Sequence, residues 1–202
     1  MKILNQAQIK QKIKRLAIEI LENNFEEKSL VLAGVNNNGT GFAKLLEKEL
    51  KKITEISIQI VTIRLNPAAP LSGPIEINTP IESLKGKSII VVDDVANTGR
   101  TTFYACKPIL DIIPKKLEVA VLVDRKHKTF PIYPKYVGVS LATTLKEDID
   151  LKILNTEEWG VYMSWTPQYI ETIVALFWLM PFARKLKSID LLFYLWDHLQ
   201  RL

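Results

Sequence analysis

From Gln6 to Asn24 the apolar residues Ile9, Ile13, Leu16, Ala17, Ile20 and Leu21 recur at helical spacing, with Asn5 placed as an N-cap, so the pattern predicts a helix. Ser29–Val35 is a short apolar run and predicts a buried strand, followed by a polar, Gly-containing turn at Asn36–Gly41 and a second helix over Phe42–Lys51. Ile56–Leu65 alternates as a strand does. A loop with Pro67, Pro70, Gly73, Pro74 and Pro80 then runs from Asn66 to Gly86; unbroken loops of that length in a compact domain usually carry function. Ser88–Val92, apolar and β-branched, suits a central parallel strand. A Gly-containing turn, a helix over Thr101–Ile113, a strand over Leu117–Val123 and a closing strand at Trp159–Met163 complete the pattern.

Strands that alternate with helices imply an α/β domain whose sheet is mostly parallel, and such sheets bind ligands beyond the carboxyl ends of their strands. The pattern changes near residue 165. Thr166 and Pro167 read as an N-cap and first helical position, Ile170–Met180 is apolar nearly all round, and Pro181 ends or kinks that helix. Ser188 caps a second helix with Ile189, Leu192, Leu195, Leu199 and Leu202 on one face. The expected organisation is a domain over 1–165 and an apolar helical extension over 166–202. Three origins stay open for that extension: packing on its own domain, an oligomer or partner interface, or an appended element.

Composition narrows the function classes. At 202 residues, 48% hydrophobic and 24% charged, the chain is an ordinary globular one. Its net charge of +5 suits a polyanionic ligand without requiring one. One cysteine, Cys106, and two histidines, His127 and His198, leave no intrachain disulfide and no Cys- or His-rich metal centre. The first residues, MKILNQAQIKQKIKRL, are too charged for a secretory signal, and the apolar run Thr172–Ala183 is too short to span a bilayer, so a cytoplasmic setting with no membrane partner is expected.

Chemistry concentrates in Ile89–Thr102, IIVVDDVANTGRTT. An apolar strand delivers two adjacent carboxylates, Asp93 and Asp94, and a short turn leads through Gly99 into a helix. Unpaired N–H groups and the helix dipole at such a start favour a phosphate, and Thr98, Thr101 and Thr102 add hydroxyls. Two acids beside a bare phosphate would repel it. Beside ribose they accept hydrogen bonds from vicinal hydroxyls, and they can hold magnesium through its water shell. The loop lacks both the Gly-Lys-Ser/Thr ending of a P-loop and the spacing of a dinucleotide-binding turn.

This segment closely resembles the phosphoribosyl diphosphate (PRPP) motif of type I phosphoribosyltransferases. Leu117–Gly138, LEVAVLVDRKHKTFPIYPKYVG, resembles the matching stretch of the pyrimidine operon attenuator/uracil phosphoribosyltransferase proteins, at Asp124, Arg125, His127, Lys128, Pro131, Ile132, Tyr136 and Gly138. The resemblance implies a phosphoribosyltransferase-type sheet flanked by helices. It implies that Asp93 and Asp94 bind the ribose hydroxyls and that Asn97, Thr98, Gly99, Arg100 and Thr101 hold the 5′-phosphate. The stretch Gly34–Gly39, with Asn37, Asn38 and Gly39, would form the diphosphate loop. Arg64 matches a family arginine that joins the two acids in catalysis, and Asp124, Arg125 and His127 would face the base. Magnesium would be carried by PRPP and water near Asp93 and Asp94, without direct protein ligands.

Three departures from the family stand out. The diphosphate loop reads Asn36-Asn37-Asn38 where relatives carry Lys or Arg, and neutral hydrogen bonds are roughly half as strong as charge-assisted ones. Asn97 occupies the place of an acid in hypoxanthine-type relatives, and an amide is no general acid or base, which points away from purines. The Asn66–Gly86 loop, where relatives carry a mobile flap, has one basic residue, Lys85. The expected function is transfer of 5-phosphoribosyl from PRPP to a nucleobase, uracil first, by a homo-oligomer. The alternatives are an RNA-binding pyrimidine regulator that uses the pocket as a nucleotide sensor, or a catalytically silent scaffold.

Overall fold

The computed structural model describes residues 1–142, 147–153 and 158–165, nearly all of them in one compact unit, Met1–Leu145 with Ile149–Met163. The expected helical extension over 166–202 lies outside the described residues.

The chain enters through β1 (Lys2–Asn5) into α1 (Gln6–Glu22). Asn5 Oδ1 accepts the Gln8 N–H at 3.0 Å while Gln8 Oε1 accepts the Asn5 N–H at 2.9 Å, a reciprocal cap that fixes where the helix starts. Then follow β2 (Ser29–Val35), α2 (Asn36–Leu50), β3 (Ser57–Arg64), the two-residue β4 (Glu76–Ile77) and a 3-10 turn at Ile81–Leu84. Next come β5 (Ser88–Ala96), α3 (Arg100–Ala105), a second 3-10 turn (Lys107–Asp111), β6 (Lys116–Arg125), β7 (Tyr136–Leu141), β8 (Glu147–Lys152) and β9 (Gly160–Trp165).

Six strands form the main sheet in the order β4-β3-β2-β5-β6-β7, parallel throughout except for β4. Alternation along the central strands sorts the core into two layers. Leu30, Leu32, Ile90, Val92 and Leu122 pack with Ile9, Leu16, Phe42 and Leu46 of α1 and α2. Val31, Ala33, Ile89, Val91 and Val121 pack with Ala105, Ile109 and Leu84 on the other face. Burial on both faces explains why β2 and the first half of β5 read as continuous apolar runs.

Four expectations change. The polar turn at Asn36–Gly41 is the first turn of α2, which starts six residues earlier than the apolar pattern suggests. Strand β5 continues past Val92 to Ala96, so Asp93 and Asp94 belong to the strand itself. The helix expected over Thr101–Ile113 stops at Ala105 and gives way to a 3-10 turn, because Pro108 has no N–H and its ring collides with the carbonyl four residues back. The strand near Trp159–Met163 does not close the main sheet; β9 joins β1 and β8 in a separate three-stranded sheet.

Candidate active site

The carboxyl ends of β2, β3, β5 and β6 lie side by side, with Gly34 opposite both Thr62 and Val92, Asp93 opposite Val121, and Ala96 opposite Asp124. The strand pleat then sends the two acids to different sides. Asp93 continues the face of Ile89 and Val91, and the Thr102 hydroxyl of α3 donates to its Oδ2 at 3.4 Å. Asp94 continues the face of Ile90 and Val92, and its Oδ2 accepts the Asn38 amide of α2 at 3.0 Å. Its Oδ1 accepts the Val95 N–H at 2.9 Å. Asp93 is buried, 7% exposed; burial pushes its carboxyl well above the usual range, and the neighbouring Asp94 charge pushes the same way.

Gly39 lets α2 come this close. A Cβ there would sit 2.4 Å from the Val92 carbonyl oxygen and 3.3 Å from Asp93 Cα. Asn36 takes the left-handed conformation at φ 52°, which Asn tolerates, and its Oδ1 accepts the Leu65 N–H at 3.1 Å. The first turn of α2 is thereby fastened to the end of β3.

Asn37, Asn38, Asp93, Asp94 and Thr101 line one cleft of about 360 Å³. Arg64 lines an adjoining cleft of about 450 Å³, and Asn36, Asn37 and Pro67 belong to both. Arg64 ends β3 opposite Glu76 of β4 and is the one basic side chain among the lining residues of these two clefts. Their acids are Asp93, Asp94 and Glu76, so the cleft has little cationic charge of its own to set against a diphosphate.

Between β5 and α3 the chain makes a tight turn at Gly99, whose φ of 83° suits glycine. Asn97 and Thr98 are exposed there, and Asn97 Oδ1 accepts a hydrogen bond from Arg125 Nη1 at 3.1 Å. Arg100 donates through Nη2 to the Pro67 carbonyl at 2.9 Å, joining the loop to the start of the proline-rich segment. Asp124 and Arg125 end β6, and the Asp124 carboxylate is ion-paired with Lys128. His127 follows β6, its Nε2 enclosed and without a hydrogen-bond partner among the described residues. The structure thus gathers Asn37, Asn38, Asp93, Asp94, Thr101 and Arg64 around two touching clefts. It sets Asn97–Arg100 beside them, ties Asp124 and Arg125 to that loop, and buries Gly39 beneath as a spacer.

Two contributors escape the sequence reading. Pro67 lines both clefts and takes the Arg100 bond, and Lys128, there only a position in a motif, holds Asp124. The proline-rich composition of the Asn66–Gly86 loop is the one signal that pointed toward Pro67. Lys128 is marked only by its place in the Leu117–Gly138 resemblance, which says nothing of its bonds to the Asn97 loop.

No group of three or more Asp, Glu, His or Cys side chains among the described residues could hold a metal ion by itself. The pair Asp93–Asp94 fits magnesium only if phosphate oxygens and water complete its shell, as the hard, water-retaining chemistry of that ion allows. Nor, among the described residues, is any helix long and apolar enough to cross a membrane.

The Phosphoribosyl transferase domain family matches residues 1–152. The bifunctional protein PyrR of Acetivibrio thermocellus is 34% identical over 158 residues, spanning 75% of this chain and 86% of that protein. The pyrimidine operon regulatory protein of Lactococcus lactis subsp. lactis is 34% identical over 149 residues, spanning 73% of this chain and 86% of that one. Among solved structures, the hypoxanthine phosphoribosyltransferase of Trypanosoma cruzi shares the fold with a TM-score of 0.62 at 20% identity, over 70% of this chain and 81% of its own. A hypoxanthine-guanine phosphoribosyltransferase of Bacillus anthracis does so with a TM-score of 0.58 at 24% identity, over 70% and 82%. With the family matched across the whole main sheet and such relatives aligned over most of their length, the chain belongs to the phosphoribosyl transferase domain family.

Proposed function

We propose that this chain transfers the 5-phosphoribosyl group of PRPP to a pyrimidine base, uracil first, and releases diphosphate. The observation that carries this reading is the placement of Asp93 and Asp94 at the carboxyl end of β5, in one cleft with the first turn of α2 and next to Arg64. In the reaction the bond from ribose C1 to the diphosphate oxygen breaks, the bond from C1 to a base nitrogen forms, and that nitrogen gives up its proton to water or to the released diphosphate. Positive charge develops on the ribose between these events. Carboxylates that accept the vicinal hydroxyls hold the ring in place while the leaving group departs, and positioning of this kind accounts for much of the rate in such displacements. Asn37 and Arg64 face the adjoining space and would meet the diphosphate. Magnesium bound through phosphate oxygens and water beside Asp93 and Asp94 would neutralise the diphosphate charge that one arginine leaves uncompensated. Asn97, bonded to Arg125, does not act as a proton carrier, which favours a pyrimidine over a purine acceptor.

Diphosphate release from PRPP with magnesium, measured against uracil, orotate, hypoxanthine, guanine and adenine, tests this. Release with uracil alone is expected. Release only with a purine, or with none of the five, would contradict it.

A second reading has its own observation. At the other end of α2 from Asn36, a cleft of about 520 Å³ is lined by Lys10, Lys14, Lys48, Lys52, Glu49 and Trp159, with Lys52 paired to Glu49 and the Lys10 ammonium 5.6 Å from the centre of the Trp159 ring. Cations beside an aromatic face suit the phosphates and bases of single-stranded RNA, and a relative is a pyrimidine operon regulatory protein. Binding of a pyrimidine-operon leader RNA should weaken steeply with salt, as counterion release requires. Salt-independent or absent binding would remove this reading.

A further inference from the structure

Lys128 lies three residues beyond β6 and outside both clefts, yet its side chain is only 10% exposed. Its ammonium donates to the Ala96 carbonyl at 3.0 Å, the Asn97 carbonyl at 3.2 Å and the Arg125 carbonyl at 2.5 Å, and it pairs with the Asp124 carboxylate. The next two residues continue the grip: the N–H groups of Thr129 and Phe130 each donate to the Thr98 carbonyl at 3.1 Å. Gly99 then sits against the same segment, where a Cβ would meet Lys128 Cδ and Ile132 Cβ at 3.4 Å.

Peptide geometry gives this grip a consequence. In a planar trans peptide the C=O and the following N–H point in opposite directions. Drawing the Asn97 carbonyl toward Lys128 turns the Thr98 N–H away from it, and drawing the Thr98 carbonyl toward Thr129 and Phe130 turns the Gly99 N–H away likewise. Among the described residues the N–H groups of Thr98 and Gly99 make no hydrogen bond, so both are unpaired donors, Thr98 at an exposed residue and Gly99 at a buried one. A cation among three carbonyls and a carboxylate is satisfied where it is, and is not a free charge for the ligand.

We propose that Lys128 is a positioning residue for the 5′-phosphate: it holds the Asn97–Thr101 loop with the Thr98 and Gly99 amides turned away from the protein's own acceptors and couples that loop, through Asp124, to the end of β6. The proposal rests on the reading of Asn97–Thr101 as the phosphate loop. Lys128 touches no part of the substrate. It sets the shape of what does.

The test titrates the wild-type chain and Lys128→Met with two probes, ribose 5-phosphate and magnesium diphosphate. The first needs the loop; the second needs the Arg64 side of the cleft. In the variant, affinity for ribose 5-phosphate should fall about tenfold, the scale of losing one hydrogen bond to a charged group, with affinity for magnesium diphosphate unchanged. Equal affinity for ribose 5-phosphate in the two proteins, or a parallel loss of both probes, overturns the proposal while leaving the site reading in place. A wild-type chain that binds magnesium diphosphate but not ribose 5-phosphate overturns the phosphate loop itself and the proposal with it. Should Lys128→Met fail to fold, hydrogen exchange of the wild-type Thr129 and Phe130 amides decides. Slower exchange with ribose 5-phosphate bound supports the coupling, and unchanged exchange overturns it.

Discussion

Asp93 shows how a residue can serve the site at the expense of the fold. Burial raises its carboxyl well above the usual range, with the Asp94 charge adding to the effect, while the Asp94 N–H and Thr102 hydroxyl act the other way. A carboxyl whose folded pKa exceeds its unfolded value, about 3.9, contributes stability fully only below that value, and the contribution is lost as pH rises through the folded pKa. At neutral pH the charged form therefore opposes folding. Asp93→Asn should raise the melting temperature at pH 7, by about 2–4 °C for each kcal/mol recovered in a chain of this size, and the gain should vanish below about pH 4. Thermal melts across pH check this, and a lower melting temperature at pH 7 would contradict it. The place of Asp93–Asp94, at the end of a strand and just before a Gly turn, could be read in the sequence because strand, acids and turn are contiguous. The duties of the three asparagines could not. Asn36 serves Leu65 and Asn38 serves Asp94 across 29 and 56 positions, and no local pattern records such links. Of the three, only Asn37 makes no side-chain hydrogen bond among the described residues and so keeps its amide for a ligand.

At the scale of elements, the start of α2 is where local preference and tertiary packing diverge. Asn-Asn-Asn-Gly reads as a turn because Asn and Gly favour one. Packing of Phe42, Ala43 and Leu46 into the core and the close approach of Gly39 to β5 carry the helix back to Asn36 instead. Gly39→Ala should accordingly push α2 off Val92 and Asp93, costing about 1–3 kcal/mol as other overpacked contacts do, and should weaken PRPP binding beyond what the lost stability explains. Denaturant unfolding and a PRPP titration measure both, and an unperturbed variant would show that the helix has room to spare. The end of α3 was legible in principle, since Pro108 stands in the sequence where the α-helix must yield. The pairing of β9 with β1 was not, because a period-two pattern shows that a strand exists and never which strand it joins.

At the scale of the molecule, the parallel sheet followed from alternating strands and helices alone, and the candidate residues gather at the carboxyl ends, where such sheets bind ligands. What the pattern left open was how thinly the cleft is supplied with cations. Arg64 stands alone among the lining residues against three acids, so PRPP should bind as its magnesium complex or scarcely at all. The measurement that bears most directly on the central claim is a calorimetric titration of magnesium PRPP into the wild-type chain and into Asp93→Asn/Asp94→Asn. Melting curves run alongside would establish that both proteins are folded. Two charged hydrogen-bond partners at about 1.5–3 kcal/mol each predict a loss of at least about a hundredfold in the double variant. A folded double variant that keeps wild-type affinity would mean that these carboxylates do not hold the ribose and that the site lies elsewhere.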